Sequence, residues 1–220
     1  MDYSEHHKQD IFSNLAIFEN LTGKIGILGG SFDPVHKGHI EAILSLKKQL
    51  QLSNCILIPT NKNPLKQSSP LASNQDRLAM LHLATKDLDG ILISDIELRN
   101  DKQDVPSYTI DTLRKIKNFV KDRCTLFFLI GSDLVPSLNE WKDVELISQY
   151  AKIIPYSRAG YVCSNDDLNR YNLPQVLNVP EINISATQIR LALKNKLDIK
   201  ELIPENILQY ILENNLYIND

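Results

Sequence analysis

Uninterrupted apolar runs alternate along this chain with stretches of helical periodicity, and that alternation limits the fold more than any other property. Residues 25–28, 55–59, 91–96, 126–130 and 152–155 read as strands, with 176–179 as a sixth candidate. Residues 39–50, 75–85, 109–119 and 140–148 read as helices. A strand that is apolar at every position is buried on both faces, which happens when helical crossovers cover a parallel sheet. The expectation is α/β: a Rossmann-like, doubly wound parallel sheet with helices on both faces. A C-terminal helical segment follows, marked by Pro204 and by Ile207, Leu208, Ile211, Leu212 and Leu216 at helical intervals. Residues 1–22 are expected to form a helical N-terminal extension and 23–220 a single domain. Ligands of such sheets bind beyond the carboxyl ends of the strands.

One such end carries the sequence Ile-Gly-Ile-Leu-Gly-Gly-Ser-Phe-Asp-Pro-Val-His-Lys-Gly-His, residues 25–39. It runs from an apolar strand through a small-residue turn into a helix. Gly29 and Gly30 allow a ligand to approach the backbone, the helix N-terminus offers free amides, and His36 and His39 fall on one helical face. Neither G-x-x-x-x-G-K-[ST] nor G-x-G-x-x-G occurs, so any phosphate site is of another type. His36 and His39 could begin a metal site, although no third His or Cys neighbours them, or could be satisfied within the helix start. Asp33, ahead of Pro34, reads as turn chemistry. A second anion-binding candidate lies at Ser185-Ala186-Thr187-Gln188-Ile189-Arg190, where Ser185 can cap a helix that presents Thr187 and Arg190. Capping alone would also explain Ser185. The polar connection over 61–74 is either a mobile lid or plain surface.

Composition narrows the partners. A net charge of −3 and a pI near 6.0 argue against nucleic acid, which needs clustered Lys and Arg. Three scattered cysteines suit neither a disulfide framework nor a metal site and point to a cytoplasmic setting. No apolar run approaches the roughly 20 residues that span a bilayer. Oligomeric state stays open, a homo-oligomer included.

Residues 29–39, together with Ile184-Ser185-x-Thr187-x-x-Arg190, resemble the nucleotidyltransferases of the HxGH type and, among these, the nicotinate-nucleotide adenylyltransferases. Between the two motifs, Pro106-Ser107-Tyr108-Thr109-Ile110-Asp111-Thr112-Leu113 and Ile130-Gly131-Ser132-Asp133 followed by Trp141 resemble that family's substrate segments in order and spacing. The resemblance implies adenylyl transfer from ATP to nicotinate mononucleotide, with Mg2+ accompanying ATP. It implies catalytic roles for His36, His39, Lys66 and Arg190. ATP would be bound by Gly29, Gly30, Ser31, Phe32, His36, His39, Gly131, Asp133, Ser185, Thr187 and Arg190. The acceptor would be bound by Ser107, Tyr108, Thr109, Asp111 and Trp141. Nicotinamide mononucleotide and phosphopantetheine are the competing acceptors, and a catalytically silent nucleotide sensor is the competing class. The chain departs from the family's common pattern at Leu65, where His is frequent, at Ala186, where Ser is frequent, and at Lys142, where an aromatic is frequent.

Overall fold

The computed structural model describes residues 14–65, 68–99, 106–180, 182 and 184–218. Five strands form one sheet: β1 (Gly23–Gly30), β2 (Asn54–Pro59), β3 (Ile91–Ile93), β4 (Cys124–Gly131) and β5 (Lys152–Tyr156). Their order is β3-β2-β1-β4-β5 and every pairing is parallel. Seven α-helices accompany them among the described residues: α1 (Lys37–Gln49), α2 (Asn74–Thr85), α3 (Thr109–Val120), α4 (Val144–Ile147), α5 (Asn165–Arg170), α6 (Ala186–Lys194) and α7 (Glu205–Glu213). The order reverses direction between β1 and β4, the switch point at which doubly wound sheets open a crevice.

Continuous apolarity has the anticipated cause. Ile25 and Ile27 of β1 face the layer that holds α3, with Ile56, Ile58, Leu126, Phe128 and Ile130 beside them. Leu28, Leu57, Phe127 and Leu129 face the opposite layer, which includes Ile43 and Leu46 of α1, Leu78 and Leu81 of α2, Ile189 of α6 and Ile207 of α7. Each strand therefore feeds two cores, as the pleat requires. No helix among the described residues is long and apolar enough to cross a membrane.

Several boundaries differ from the sequence reading. β3 stops at Ile93 rather than at residue 96, and Asp95, left beyond the ladder, takes both Nε and Nη2 of Arg99 at 2.9 and 2.7 Å. Only Leu177 of the sixth candidate strand pairs, through a bridge to Tyr156 at the edge of β5. Of the helix expected over 140–148 only the short α4 (Val144–Ile147) forms, preceded by a 3₁₀ segment, Ser132–Glu140. Pro136 lacks the amide an α-helix would need there, and Asp143 takes a left-handed φ of 49° that breaks the path. α5 is started by Ser164, whose Oγ accepts the Asp167 amide at 3.1 Å. Of the expected N-terminal helix, residues 1–13, including His6 and His7, lie outside the described residues; Asn14–Phe18 is a 3₁₀ turn. Phe18 stacks on Phe119 at 5.7 Å, and Arg123 ties the Phe18 and Glu19 carbonyls to the end of α3.

Candidate active site

β1 ends in the turn 29–35, and the turn is held firmly. Phe32 is buried with a left-handed φ of 47°, a conformation that costs a non-glycine residue about 1 kcal/mol and persists only when surroundings impose it. Its ring meets the His39 ring edge-on at 5.0 Å. His36 caps α1: its amide donates to His39 Nδ1 at 3.3 Å, and the two imidazoles lie 3.8 Å apart. That bond gives His39 Nδ1 the acceptor role, so its proton sits on Nε2. His36 is 1 % exposed and its Nδ1 has no hydrogen-bond partner. Burial, and secondarily the Arg158 charge, push its pKa down from 6.5 to about 3, so the ring is neutral at physiological pH.

At Gly29 an added Cβ would point into open space, which is the cleft itself. At Gly38 it would stand 3.1 Å from the His36 ring and 3.2 Å from Ile184 Cγ2, so that glycine serves the packing of the histidine against the segment before α6.

α6 arrives beside this turn. Ser185 caps it, its Oγ accepting the Gln188 amide at 3.2 Å while Gln188 Oε1 accepts the Ser185 amide at 2.8 Å. Arg190 donates from Nη1 to the Asp33 carbonyl at 2.6 Å and from Nη2 to Thr187 Oγ1 at 3.3 Å. A guanidinium has five donors, so further N–H groups stay available to a ligand. Segments 29–39 and 185–190, some 150 residues apart in sequence, thus meet at Asp33 and line one cleft of about 650 Å³.

Asp33 is the hub of that meeting. Its carboxylate accepts the Leu71 and Ala72 amides at 2.8 and 3.0 Å and the Tyr217 hydroxyl at 2.7 Å, and it lies 3.6 Å from Arg190. Burial and the Asp33 charge raise the Tyr217 pKa, so the phenol stays protonated and donating. The sequence reading of Asp33 as turn chemistry missed this reach across the molecule. Arg77 is fully buried and donates to the Ser31 and Thr60 carbonyls, both at 2.8 Å, and to Asn74 at 2.6 Å. It clamps the ends of β1 and β2 from below. A signal existed: a cation near the N-terminal end of a helix opposes the macrodipole and needs another partner.

Across the cleft, β4 ends at Gly131, where a Cβ would fall 2.2 Å from Asp133 Oδ1. Asp133 pairs with Arg158, just past β5, at 3.7 Å. Arg158 was not singled out in sequence, although a basic residue beyond the carboxyl end of a parallel strand is well placed for an anion. The remaining wall carries Ser107, Tyr108, Thr109 and Trp141. Trp141 meets Phe128 edge-on at 6.0 Å, and its Nε1 is buried without a partner. Ser107 Oγ accepts the Asn61 amide at 3.1 Å. Asp111 stands back from the cleft wall, tied to Lys142 at 2.8 Å and Arg114 at 3.2 Å. Glu97, also missed, lines the cleft; Thr112 donates to its Oε1 at 2.7 Å and Oε2 is buried without a partner. Burial holds its carboxyl above the ordinary range. Lys66 lies outside the described residues, although Leu65 and Ser68 on either side of it line the cleft. Among the described residues no three His, Cys, Asp or Glu side chains cluster to hold a metal.

The family model for cytidylyltransferase-like proteins matches residues 27–192, from the first strand to α6. A sheet that opens at the β1–β4 switch point, with paired histidines at the head of α1, thus defines a nucleotidyltransferase. Relatives narrow the class. The chain is 36 % identical over 195 residues to a probable nicotinate-nucleotide adenylyltransferase of Methylacidiphilum infernorum, covering 89 % of this chain and 92 % of that one. It is 33 % identical over 200 residues to another from Dehalococcoides mccartyi, covering 88 % and 97 %. The chain belongs to the nicotinate-nucleotide adenylyltransferase family. Among solved structures, Plasmodium falciparum nicotinic acid mononucleotide adenylyltransferase complexed with NaAD shares the fold at a TM-score of 0.75 and 23 % identity, over 90 % of this chain and 98 % of that one.

Proposed function

We propose that the chain transfers the adenylyl group of ATP to nicotinate mononucleotide, releasing pyrophosphate and forming deamido-NAD, a step of NAD biosynthesis. Family membership supports the reaction, and the convergence of segments 29–39 and 185–190 on one cleft is the observation that carries it. An oxygen of the acceptor's phosphate attacks the α-phosphorus; the new P–O bond forms as the bond to the β-phosphate oxygen breaks, and the electron pair leaves with pyrophosphate. The second pKa of a phosphate monoester is about 6, so the nucleophile is already anionic at neutral pH and needs no general base. What remains is to hold two anions in line and stabilise charge that develops on the leaving group.

The donor set suits that task. Neutral His36, together with His39, would donate to the α-phosphate oxygens, with the His39 ring fixed in direction by the bond at its Nδ1. Gly29, Gly30, Ser31 and Phe32 would admit the nucleotide against backbone. Ser185, Thr187 and Arg190, at the start of a nine-residue helix, would hold the β- and γ-phosphates, and Lys66 would reach them from the loop over 61–74. Gly131 and Asp133 would border the adenosine side. Ser107, Tyr108, Thr109 and Trp141 would hold the acceptor, Trp141 by stacking on the electron-poor pyridine, and Asp111 would act from behind them. Mg2+ would be carried in by the triphosphate oxygens, offsetting their charge; the nearby carboxylate, Asp133, has its Oδ1 3.7 Å from Arg158 Nε, so the triphosphate rather than this side chain would hold the ion. The test is pyrophosphate release with Mg-ATP across mononucleotide acceptors. Turnover with nicotinate mononucleotide is expected, and release with phosphopantetheine alone would overturn the reading.

A further inference from the structure

Nicotinate and nicotinamide mononucleotides differ at one group, a carboxylate against an amide, so an enzyme that prefers the first gains most from a cation at the acceptor ring. The Lys and Arg residues on the described cleft wall are Lys142, Arg158 and Arg190. Arg190 is bound to Asp33 and Thr187, and Arg158 pairs with Asp133, which places both with the segments that would hold ATP. Lys142 follows Trp141 directly and stands with Tyr108, its Nζ 4.8 Å from the centroid of that ring and 2.8 Å from Asp111 Oδ2. We infer that Lys142 is a specificity-determining residue, its ammonium selecting acceptors whose ring bears a carboxylate. The inference rests on the adenylyl-transfer reading and deepens it.

Three features support the role. An ammonium has three donors, and Asp111 occupies one of them while the Tyr108 face draws the charge toward the cleft. Asp111 does not neutralise Lys142 alone, because its other oxygen accepts from Arg114 at 3.2 Å and the carboxylate is shared between two cations. The Lys142 side chain is 43 % exposed, so a ligand can reach its head without displacing protein. The other carboxylates that could oppose it act weakly: Glu140 and Asp143 are exposed and screened, and Glu97 is held toward its protonated form by burial.

Pyrophosphate release from Mg-ATP, measured with each mononucleotide for the unmodified chain, Lys142→Met and Lys142→Arg, tests this. The Met variant should lose up to about fivefold in kcat/KM for nicotinate mononucleotide, mainly through KM, which is the scale of a partly exposed ion pair. Its kcat/KM for the amide should hold or rise, and the Arg variant should keep the preference. An active Met variant with an unchanged ratio of the two acceptors would overturn the assignment alone. Failure of the unmodified chain to use either mononucleotide would overturn the adenylyl-transfer reading and this inference with it.

Discussion

At the scale of single residues, one hydrogen bond sets the two histidines apart. His39, which lines the cleft, receives the His36 amide on Nδ1, and that bond fixes the orientation of its ring. His39→Ala should lower kcat by about 10²-fold, the usual effect of losing one transition-state donor, while the thermal midpoint changes little because His39 is only partly buried. His36 makes a prediction about pH. Its folded pKa near 3 lies below the unfolded value of 6.5, so between those values the unfolded chain binds a proton that the folded chain refuses. His36 therefore removes stability progressively as pH falls from about 6.5 toward 3, and contributes nothing of this kind above that window. NMR titration of the free protein should find its ring neutral from pH 8 to below pH 5, and a midpoint near 6.5 would contradict the burial argument.

At the scale of elements, α6, the loop after β2 and the C-terminal segment are joined through Asp33 rather than packed independently. Tyr217→Phe removes a 2.7 Å bond to a charged acceptor. It should cost about 1.5–3 kcal/mol by urea denaturation and raise the KM for ATP, because the same aspartate positions Arg190 through its carbonyl. A variant with lowered stability and an unchanged KM for ATP would confine Tyr217 to packing. Arg77→Met tests the other clamp: two buried carbonyls at the ends of β1 and β2 would lose their donor, at about 1–3 kcal/mol each. These contacts mark where sequence reading stops. Strands and long helices were legible because apolar periodicity is local, and the histidines and the Ser185–Arg190 helix start were legible because capping and one-faced spacing are local too. Asp33, Arg77, Glu97 and Arg158 act on partners at least 15 residues away in sequence, so their roles depend on the topology. The helix expected over 140–148 is shortened to 144–147 because Asp143, a left-handed residue, redirects the chain after Trp141.

At the scale of the whole molecule, the cleft straddles the β1–β4 switch point, so its two halves belong to different parts of the fold. Segments 29–39 and α6 supply one half; the start of α3 and the 3₁₀ segment ending at Trp141 supply the other. A ligand that spans both halves ties these elements together, and anything that binds the folded state alone raises stability by RT ln(1 + [L]/Kd). At a hundredfold excess over Kd this is about 2.7 kcal/mol, and for a domain of this size each kcal/mol moves the melting midpoint by about 2–4 °C. Deamido-NAD, which carries both nucleotides, should therefore raise the midpoint at lower concentration than AMP or nicotinate mononucleotide alone. The halves should also separate by mutation. Arg190→Ala should weaken the shift given by ATP and spare that given by nicotinate mononucleotide, whereas Trp141→Ala should do the reverse. If both variants lost both shifts equally, the two halves of the cleft would not be the separate donor and acceptor sites proposed on either side of the switch point.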